Sequence, residues 1–508
     1  MDENYTLSFF SLETKRTFKE YYDFDIAHLA TLFKKKNEYF WNKKSERKAL
    51  DLFHRAAEHV PAYKDFLKKH GVRHTSVKNI RDFKKLPITD KRNYIQVYDL
   101  KDRSWKGNVA SNNIIAVSSG TTGEPTAWPR SFREELGAAI IHEFLYRYLF
   151  QINIHKTLVA IGFPMGIYVS GVATTLPTVA IAQKGYPITV ISAGNQKSQL
   201  LSALENSHRY YDQILLIGHP FFIKDLVEEA RAKKHTWVRK KTKMMFCSEG
   251  FNEAWRNYMI RLLGTNTLPE HALNTYGSTE LLLMGYETPF TVSLRRLATK
   301  NKNLKELLFG RDEIPNIFQY FPLLHYVESS SSVLLFTSAS GGIPLVRYSL
   351  HDSGEIISLN KIHTAVKTST KKDLLATWQL PVITLGKRSD NAIVFYAVNI
   401  YPEHIRRILD HKLFLPKITG KFTMIKKQMR KKDQALEIYI ELRPHITHNK
   451  NLSGVIQKHI FAGLRTSNME YKDAHGALGK KLIPIVKLRP YQSEPYFKAG
   501  LKPRFIQK

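Results

Sequence analysis

Residues 118–126 read Ser118-Ser119-Gly120-Thr121-Thr122-Gly123-Glu124-Pro125-Thr126 and follow directly on the apolar run Ile114–Val117. A short apolar run opening onto a Gly-, Ser- and Thr-rich segment reads as a buried strand ending in a loop. The two glycines permit backbone conformations in which successive amide N–H groups converge on an anion. The Ser and Thr hydroxyls add donors suited to the terminal phosphates of a nucleoside triphosphate. No lysine follows the second glycine, so this is not the G-x-x-x-x-G-K-[ST] loop of P-loop NTPases.

Outward from this loop, strand-length apolar runs alternate with helical stretches. Leu158–Ile161, Ile188–Ile191, Ile214–Ile217 and Lys243–Phe246 read as strands, and Phe222–Arg231 as a helix after the third. Upstream, Leu50, Phe53, Ala57 and Val60 recur at helical spacing, with a break at Pro61. Residues 333–337 give a further strand before a Gly-rich turn. After Gly386 the rhythm changes to a helix (Pro402–Leu409), two strands (Lys421–Lys426 and Ala435–Leu442), a helix (Leu452–Leu464) and a strand (Leu482–Leu488). The expected fold class is therefore α/β: a large N-terminal domain of layered sheets and helices over residues 1–387, and a small α+β domain over residues 388–508.

The bulk numbers set outer limits. A chain of 508 residues exceeds one compact core, and 43% hydrophobic with 12% aromatic residues excludes a disordered chain. Cys247 is the single cysteine, which fits a reducing compartment. The N-terminus lacks the pattern of a secretory signal, and no stretch reaches spanning length, so a cytoplasmic address without a transmembrane segment is expected. The net charge of +32 favours polyanionic company. Its basic runs, Lys34–Lys36, Arg239–Lys243 and Lys426–Lys432, come without aromatic-interleaved RNA-binding motifs or zinc spacing, so no specific nucleic-acid binding is expected.

The Gly-rich segment resembles the phosphate loop of the adenylate-forming superfamily, which includes acyl-CoA synthetases, luciferases and peptide-synthetase adenylation domains. Its form is similar to that of the phenylacetate–coenzyme A ligase branch, as are VPAYKDFLKKHGV (60–72) and FKKLPITDK (83–91) upstream. Further motifs follow in family order. Asn274-Thr275-Tyr276-Gly277-Ser278-Thr279-Glu280 resembles the Y-G-S-T-E signature. The resemblance implies that Tyr276 lies against adenine, that Gly277, Ser278 and Thr279 meet the α-phosphate or acyl group, and that Glu280 holds Mg²⁺. Pro344–Gly354 resembles the P-x-x-R-Y-x-x-G-D-x-G segment, with His351 in place of a glycine. It implies that Asp352 binds the ribose hydroxyls, while the bland reading of Arg347 is an ion pair. Gly386-Lys387-Arg388-Ser389-Asp390 resembles the hinge, with Arg388 on the nucleotide and Asp390 as the pivot. Val398–Pro402 resembles the V-N-x-x-P step, preceded by Ala397 where glycine is usual, with Arg406 where a glutamate is usual. The terminal lysine of the family carries over to Lys502, with Lys498 as the second choice.

On this resemblance the nucleotide site comprises Ser118, Ser119, Gly120, Thr121, Thr122, Gly123, Thr126, Tyr276, Gly277, Ser278, Asp352 and Arg388. Lys502, Glu280 and Thr279 are implied as catalytic. The implied activity is ATP-dependent activation of a small carboxylic acid to an acyl- or aryl-adenylate, followed by transfer, with coenzyme A as the first acceptor. A carrier protein or amine as acceptor, and a catalytically reduced nucleotide-binding module, stay open. The acyl pocket is expected to draw on Ile161–Val172 and Ile217–Phe222, where His219 either orients a carboxylate or sits satisfied in the core.

Overall fold

The structure, a computed structural model, describes residues 3–12, 17–118, 126–239, 241–264, 268–310, 314–339, 341–371, 373–386, 392–411, 413–414, 416–430, 433–447, 450–497 and 506–507. Helix α1 (Glu38–His59) starts on Asn37, whose side chain accepts the Phe40 amide at 3.0 Å. It is followed at once by a second helix, Pro61–Lys69. The expected break at Pro61 is thus a change of direction, because proline at the first helical position lacks only an N–H that would be unpaired anyway.

Strands β1 (Ile114–Ser118) and β2 (Thr126–Arg130) form an antiparallel hairpin, and α2 (Phe132–Leu149) follows it. Then come β3 (Thr157–Gly162), α3 (Val169–Gln183), β4 (Ile188–Ser192), β5 (Gln213–Gly218), α4 (Pro220–Ala232), β6 (Lys241–Phe246), β7 (Ala272–Ser278), β8 (Leu282–Tyr286) and β9 (Asn316–Gln319). With β10 (Leu345–Ser353) and β11 (Val382–Leu385), these are the elements that build the site.

Among the described residues, nine strands share one sheet in the order Ile356–Ile357, β11, β9, β8, β7, β6, β5, β3, β4. The half from β7 to β4 is parallel, and the half beyond β7 is antiparallel. The apolar runs explain the parallel half. In β3, Leu158 and Ala160 join a core with Leu216, Trp237 and Phe246, whereas Val159 and Ile161 join another with Ile140, Phe144 and Met245. Alternate side chains leave opposite faces of a strand, so a continuous apolar run needs helices on both faces. A second sheet sets Thr89–Asp90 beside β10, Val333–Ser338 and Tyr326–Ser330, and it brings Asp352 to the site.

The smaller C-terminal part has its own core, with Ile418, Phe422, Ile438, Ile456 and Ile460 at its centre. Its main strands are β12 (Ile418–Gln428) and β13 (Gln434–Leu442). The helix Pro402–Leu409 stands as expected, while the strand expected from Leu482 starts at Ile485. Leu482 instead closes a tight turn, Gly479–Leu482, and Pro484, which has no N–H for a ladder, separates that turn from the strand. An unexpected helix, α5 (Met469–Leu478), packs near the site, capped by Asn468 accepting the Tyr471 amide at 3.0 Å. The division expected between 387 and 388 falls outside the described residues.

The two parts meet through charge. Lys224 of α4 has no exposed side-chain surface and lies 3.0 Å from both Glu228 and Asp433, the latter just ahead of β13. Lys481 pairs with Asp225 and lies 3.4 Å from Asp433.

Candidate active site

Strands β3, β5, β6 and β7 end at one cavity of ≈ 1240 Å³, with Phe163, His219, Cys247 and Tyr276 on its wall. The strand direction reverses beside β7, and crevices at the carboxyl ends of strands, where direction or order switches, are where α/β sheets hold ligands.

Ser118 and Thr126 are cross-strand partners at the end of the β1–β2 hairpin. Ser118 faces the cavity, and its Oγ accepts hydrogen bonds from Trp128 Nε1 at 3.0 Å and Lys91 Nζ at 3.3 Å. Ser119, Gly120, Thr121, Thr122 and Gly123 lie outside the described residues. Lys91 opens a single π-helical turn, Lys91–Ile95, capped by Asp90 accepting the Arg92 and Asn93 amides at 2.8 and 2.7 Å. Such turns recur at functional sites because they displace a side chain from the helical register. Asp90 also meets His351 Nε2 at 3.1 Å. Burial would raise the Asp90 carboxyl, but the hydrogen bonds from His351 and the two amides outweigh it and hold it below its usual range. Lys91 is the last residue of FKKLPITDK and carries no assignment from the sequence; its L-P-x-T-x-K setting is the signal that could have found it.

Tyr276 of β7 and Asp352 of β10 come together across the two sheets. The Tyr276 hydroxyl donates to Asp352 Oδ2 at 2.5 Å, and the ring stacks on Phe318 with centroids 6.0 Å apart. Gly277, Ser278, Thr279 and Glu280 continue along the same wall. The chain can turn here because Gly341 has no side chain: a Cβ there would sit 2.1 Å from the Glu280 carbonyl oxygen. Ser278 Oγ accepts the Leu281 amide at 3.2 Å and so fixes the turn that carries Glu280. Among the described residues no three or more His, Cys, Asp or Glu side chains gather as a metal cluster. A lone carboxylate is nevertheless what Mg²⁺ uses when substrate phosphates supply its other ligands.

Arg347 follows its bland reading. Its Nε and Nη2 donate to Glu328 Oε1 at 3.0 and 2.7 Å, and Nη1 donates to the Leu86 carbonyl. It ties the Leu86–Thr89 segment to the second sheet.

The C-terminal part closes the cavity. Tyr396 and Ala397, at φ 49° and 65°, form the tight turn between Ile393–Phe395 and Val398–Ile400. Two successive left-handed residues are what such a hairpin turn requires. Glu249 from the loop after β6 accepts Gln434 Nε2 at 2.6 Å and Lys426 Nζ at 3.4 Å, and also the Ala397 amide. Burial still pushes the Glu249 carboxyl up.

The two segments expected for the acyl pocket divide. Phe163, Tyr168, Val169 and His219 face the cavity, whereas Ile161 and Ile217 have 0% exposure and serve the core. His219 stands edge-on to Phe163 at 5.0 Å; burial, only partly offset by a hydrogen bond to the Cys247 backbone, pushes it down to about 4. His142 of α2 also lines the cavity and was not anticipated. Arg388, Asp390, Lys498 and Lys502 lie outside the described residues.

No family model matches the sequence, and no curated protein matches it. Among solved structures, the chain is similar to 2-hydroxyisobutyryl-CoA ligase in complex with 2-HIB-AMP and CoA in the thioesterification state. The TM-score is 0.61 at 14% identity, covering 91% of this chain and 89% of that one. Against an open conformation of the same ligase with the same ligands the TM-score is 0.51 at 14% identity, covering 91% of both chains. Against its postadenylation state in complex with R3-HIB-AMP it is 0.50 at 14% identity, covering 91% and 89%. The chain has the adenylate-forming ligase fold. Within that fold the large N-terminal part carries the cavity, and the smaller C-terminal part supplies the Tyr396–Ala397 turn to its wall. Among the described residues no helix is long and apolar enough to cross a membrane.

Proposed function

We propose that this chain activates a carboxylic acid with ATP, releasing pyrophosphate and forming an acyl- or aryl-adenylate. One observation carries the reading: Ser118, the Tyr276–Glu280 run and Asp352, which come from three separate stretches of sequence, line one cavity. In this reading Ser118 and the loop through Ser119, Gly120, Thr121, Thr122 and Gly123 to Thr126 hold the β- and γ-phosphates. Lys91 beside Ser118 adds positive charge to that end of the site. Tyr276 lies against the adenine. Its hydroxyl fixes the rotamer of Asp352, which then presents its remaining lone pairs to the ribose hydroxyls. Glu280 would hold Mg²⁺, which offsets phosphate charge when bound. A substrate carboxylate oxygen then attacks the α-phosphorus and pyrophosphate leaves, with Thr279, Ser278 and Gly277 beside the reacting group.

The second half-reaction follows from a mobile C-terminal domain, residues 388–508, turning about Asp390 with Arg388 on the nucleotide. Lys502, or Lys498 in its place, serves adenylation in the alternate arrangement. Coenzyme A is the acceptor proposed first. The Tyr396–Ala397 turn supports an acceptor channel, because it borders the cavity where the C-terminal part meets it. The single cysteine supports a cytoplasmic address. ATP–pyrophosphate exchange over a panel of carboxylic acids tests the first step, and exchange with no acid despite ATP binding refutes it. Coenzyme A, an amine and a carrier protein compared as acceptors then test the second.

A further inference from the structure

The adenylation reading leaves two imidazoles on the cavity wall, His142 and His219, without a task. His142 lies in α2, is 5% exposed and lines the cavity one turn after Ala138, which lines it too. Its Nδ1 stands 2.8 Å from the Ala138 carbonyl oxygen. A carbonyl can only accept, so Nδ1 carries the proton. Burial lowers the pKa of the ring, so it is neutral, and Nε2 is left as a bare acceptor. Among the described residues Nε2 has no hydrogen-bond partner, although the ring is part of the cavity wall.

The neighbouring hydroxyls cannot supply the missing donor. Thr174 Oγ1 donates to the Ser170 carbonyl at 2.8 Å, and Thr178 Oγ1, 3.1 Å from the Tyr146 hydroxyl, donates to the Thr174 carbonyl at 2.6 Å. The cavity wall carries the apolar side chains of Phe163, Val169, Ala173 and Leu283 as well as polar ones such as Tyr168 and Ser170. His219, the second imidazole of the wall, is also neutral, and its buried Nδ1 likewise has no hydrogen-bond partner among the described residues. A hydrocarbon acid filling this space would strip water from His142 Nε2 and give nothing back. A desolvated acceptor without a donor is what makes polar pockets reject apolar analogues.

We propose that the acyl pocket selects carboxylic acids bearing a hydrogen-bond donor, a hydroxyl or an N–H, which meets Nε2 of His142. This rests on the adenylation reading and names the substrate class for it. His142 is then a specificity-determining residue.

The test uses the full chain and matched acids: benzoate with the three hydroxybenzoates and aminobenzoates, phenylacetate with 4-hydroxyphenylacetate, and butyrate with 2-, 3- and 4-hydroxybutyrate. In pyrophosphate exchange the donor-bearing member of the accepted pair should lead in kcat/KM by about tenfold to a hundredfold. His142→Asn can still donate to the Ala138 carbonyl but has no acceptor at the Nε2 position, so it should bring the ratio towards one. His142→Gln, whose Oε1 reaches that position, should keep a preference. Equal use of both members by the wild type, or an unchanged ratio in His142→Asn with its fold verified by thermal melting, overturns the proposal. Exchange with no acid at all refutes the adenylation reading instead. Calorimetric binding of the same pairs then decides the preference by itself: a donor-bearing acid bound more tightly supports it, and equal affinities overturn it.

Discussion

Asp433→Asn should loosen the arrangement of the two parts without unfolding either. Asp433 lies 3.0 Å from Lys224 Nζ, whose side chain is fully buried, and 3.4 Å from Lys481 Nζ. At 3.0 Å and an effective dielectric constant of about 20, one such pair attracts by about 5.5 kcal/mol before desolvation is subtracted. The Asp433 side chain keeps 26% of its exposure, so its net worth falls between an exposed pair, at about 0–1 kcal/mol, and a buried one, at about 3–5 kcal/mol. We take about 2 kcal/mol, which is a shift of roughly thirtyfold in the population of the closed arrangement. The lysine is not stranded, because Glu228 remains 3.0 Å from it on the same helix. The assay is single-molecule energy transfer between one dye on each part, at low and high salt. The variant should widen the distance distribution at low salt and lose most of the salt dependence of the wild type. Identical distributions for the two proteins at both salt concentrations would refute the claim that this network holds the parts together.

Glu280→Gln should lower pyrophosphate exchange about a hundredfold or more while the fold melts normally, since it removes the carboxylate proposed to hold the cation. Unaltered exchange would dismiss the assignment. Tyr276→Phe removes the 2.5 Å hydrogen bond to Asp352 and should raise the KM for ATP about tenfold, measured in the same assay. Arg347→Met leaves Glu328 buried without its guanidinium and should cost about 3–5 kcal/mol in denaturant unfolding. For pH, burial pushes His325 from 6.5 down to about 4, so the unfolded chain takes up its proton first. Stability from this group is complete above pH 6.5 and drains away as pH falls towards 4. The thermal midpoint should follow, and His325→Gln should flatten that slope by one proton.

Much of the fold was legible in the chain because it is written in local periodicity. Continuous apolar runs such as Leu158–Ile161 can only be strands covered on both faces, and they are. The helix Pro402–Leu409 was equally plain. Helix α5 was not, because MEYKDAHGAL has almost no apolar stripe; its one local signal is the Asn468 cap. For the site, motif order alone brought forward Ser118, Tyr276, Glu280 and Asp352. It could not show that Tyr276 would bind Asp352 across 76 residues, or that Arg347 would be spent on Glu328. His142 and Glu249 were invisible for a related reason: a single polar residue has no period, and its meaning comes from what the fold sets beside it. The Lys224–Asp433 pair spans 209 residues and joins two separate cores. The sequence by itself therefore determined the layers and the order of the loops. Only the tertiary structure decided which charges are neutralised, which acceptor is left unpaired and where the two parts touch, since burial and partner identity belong to no single stretch of chain.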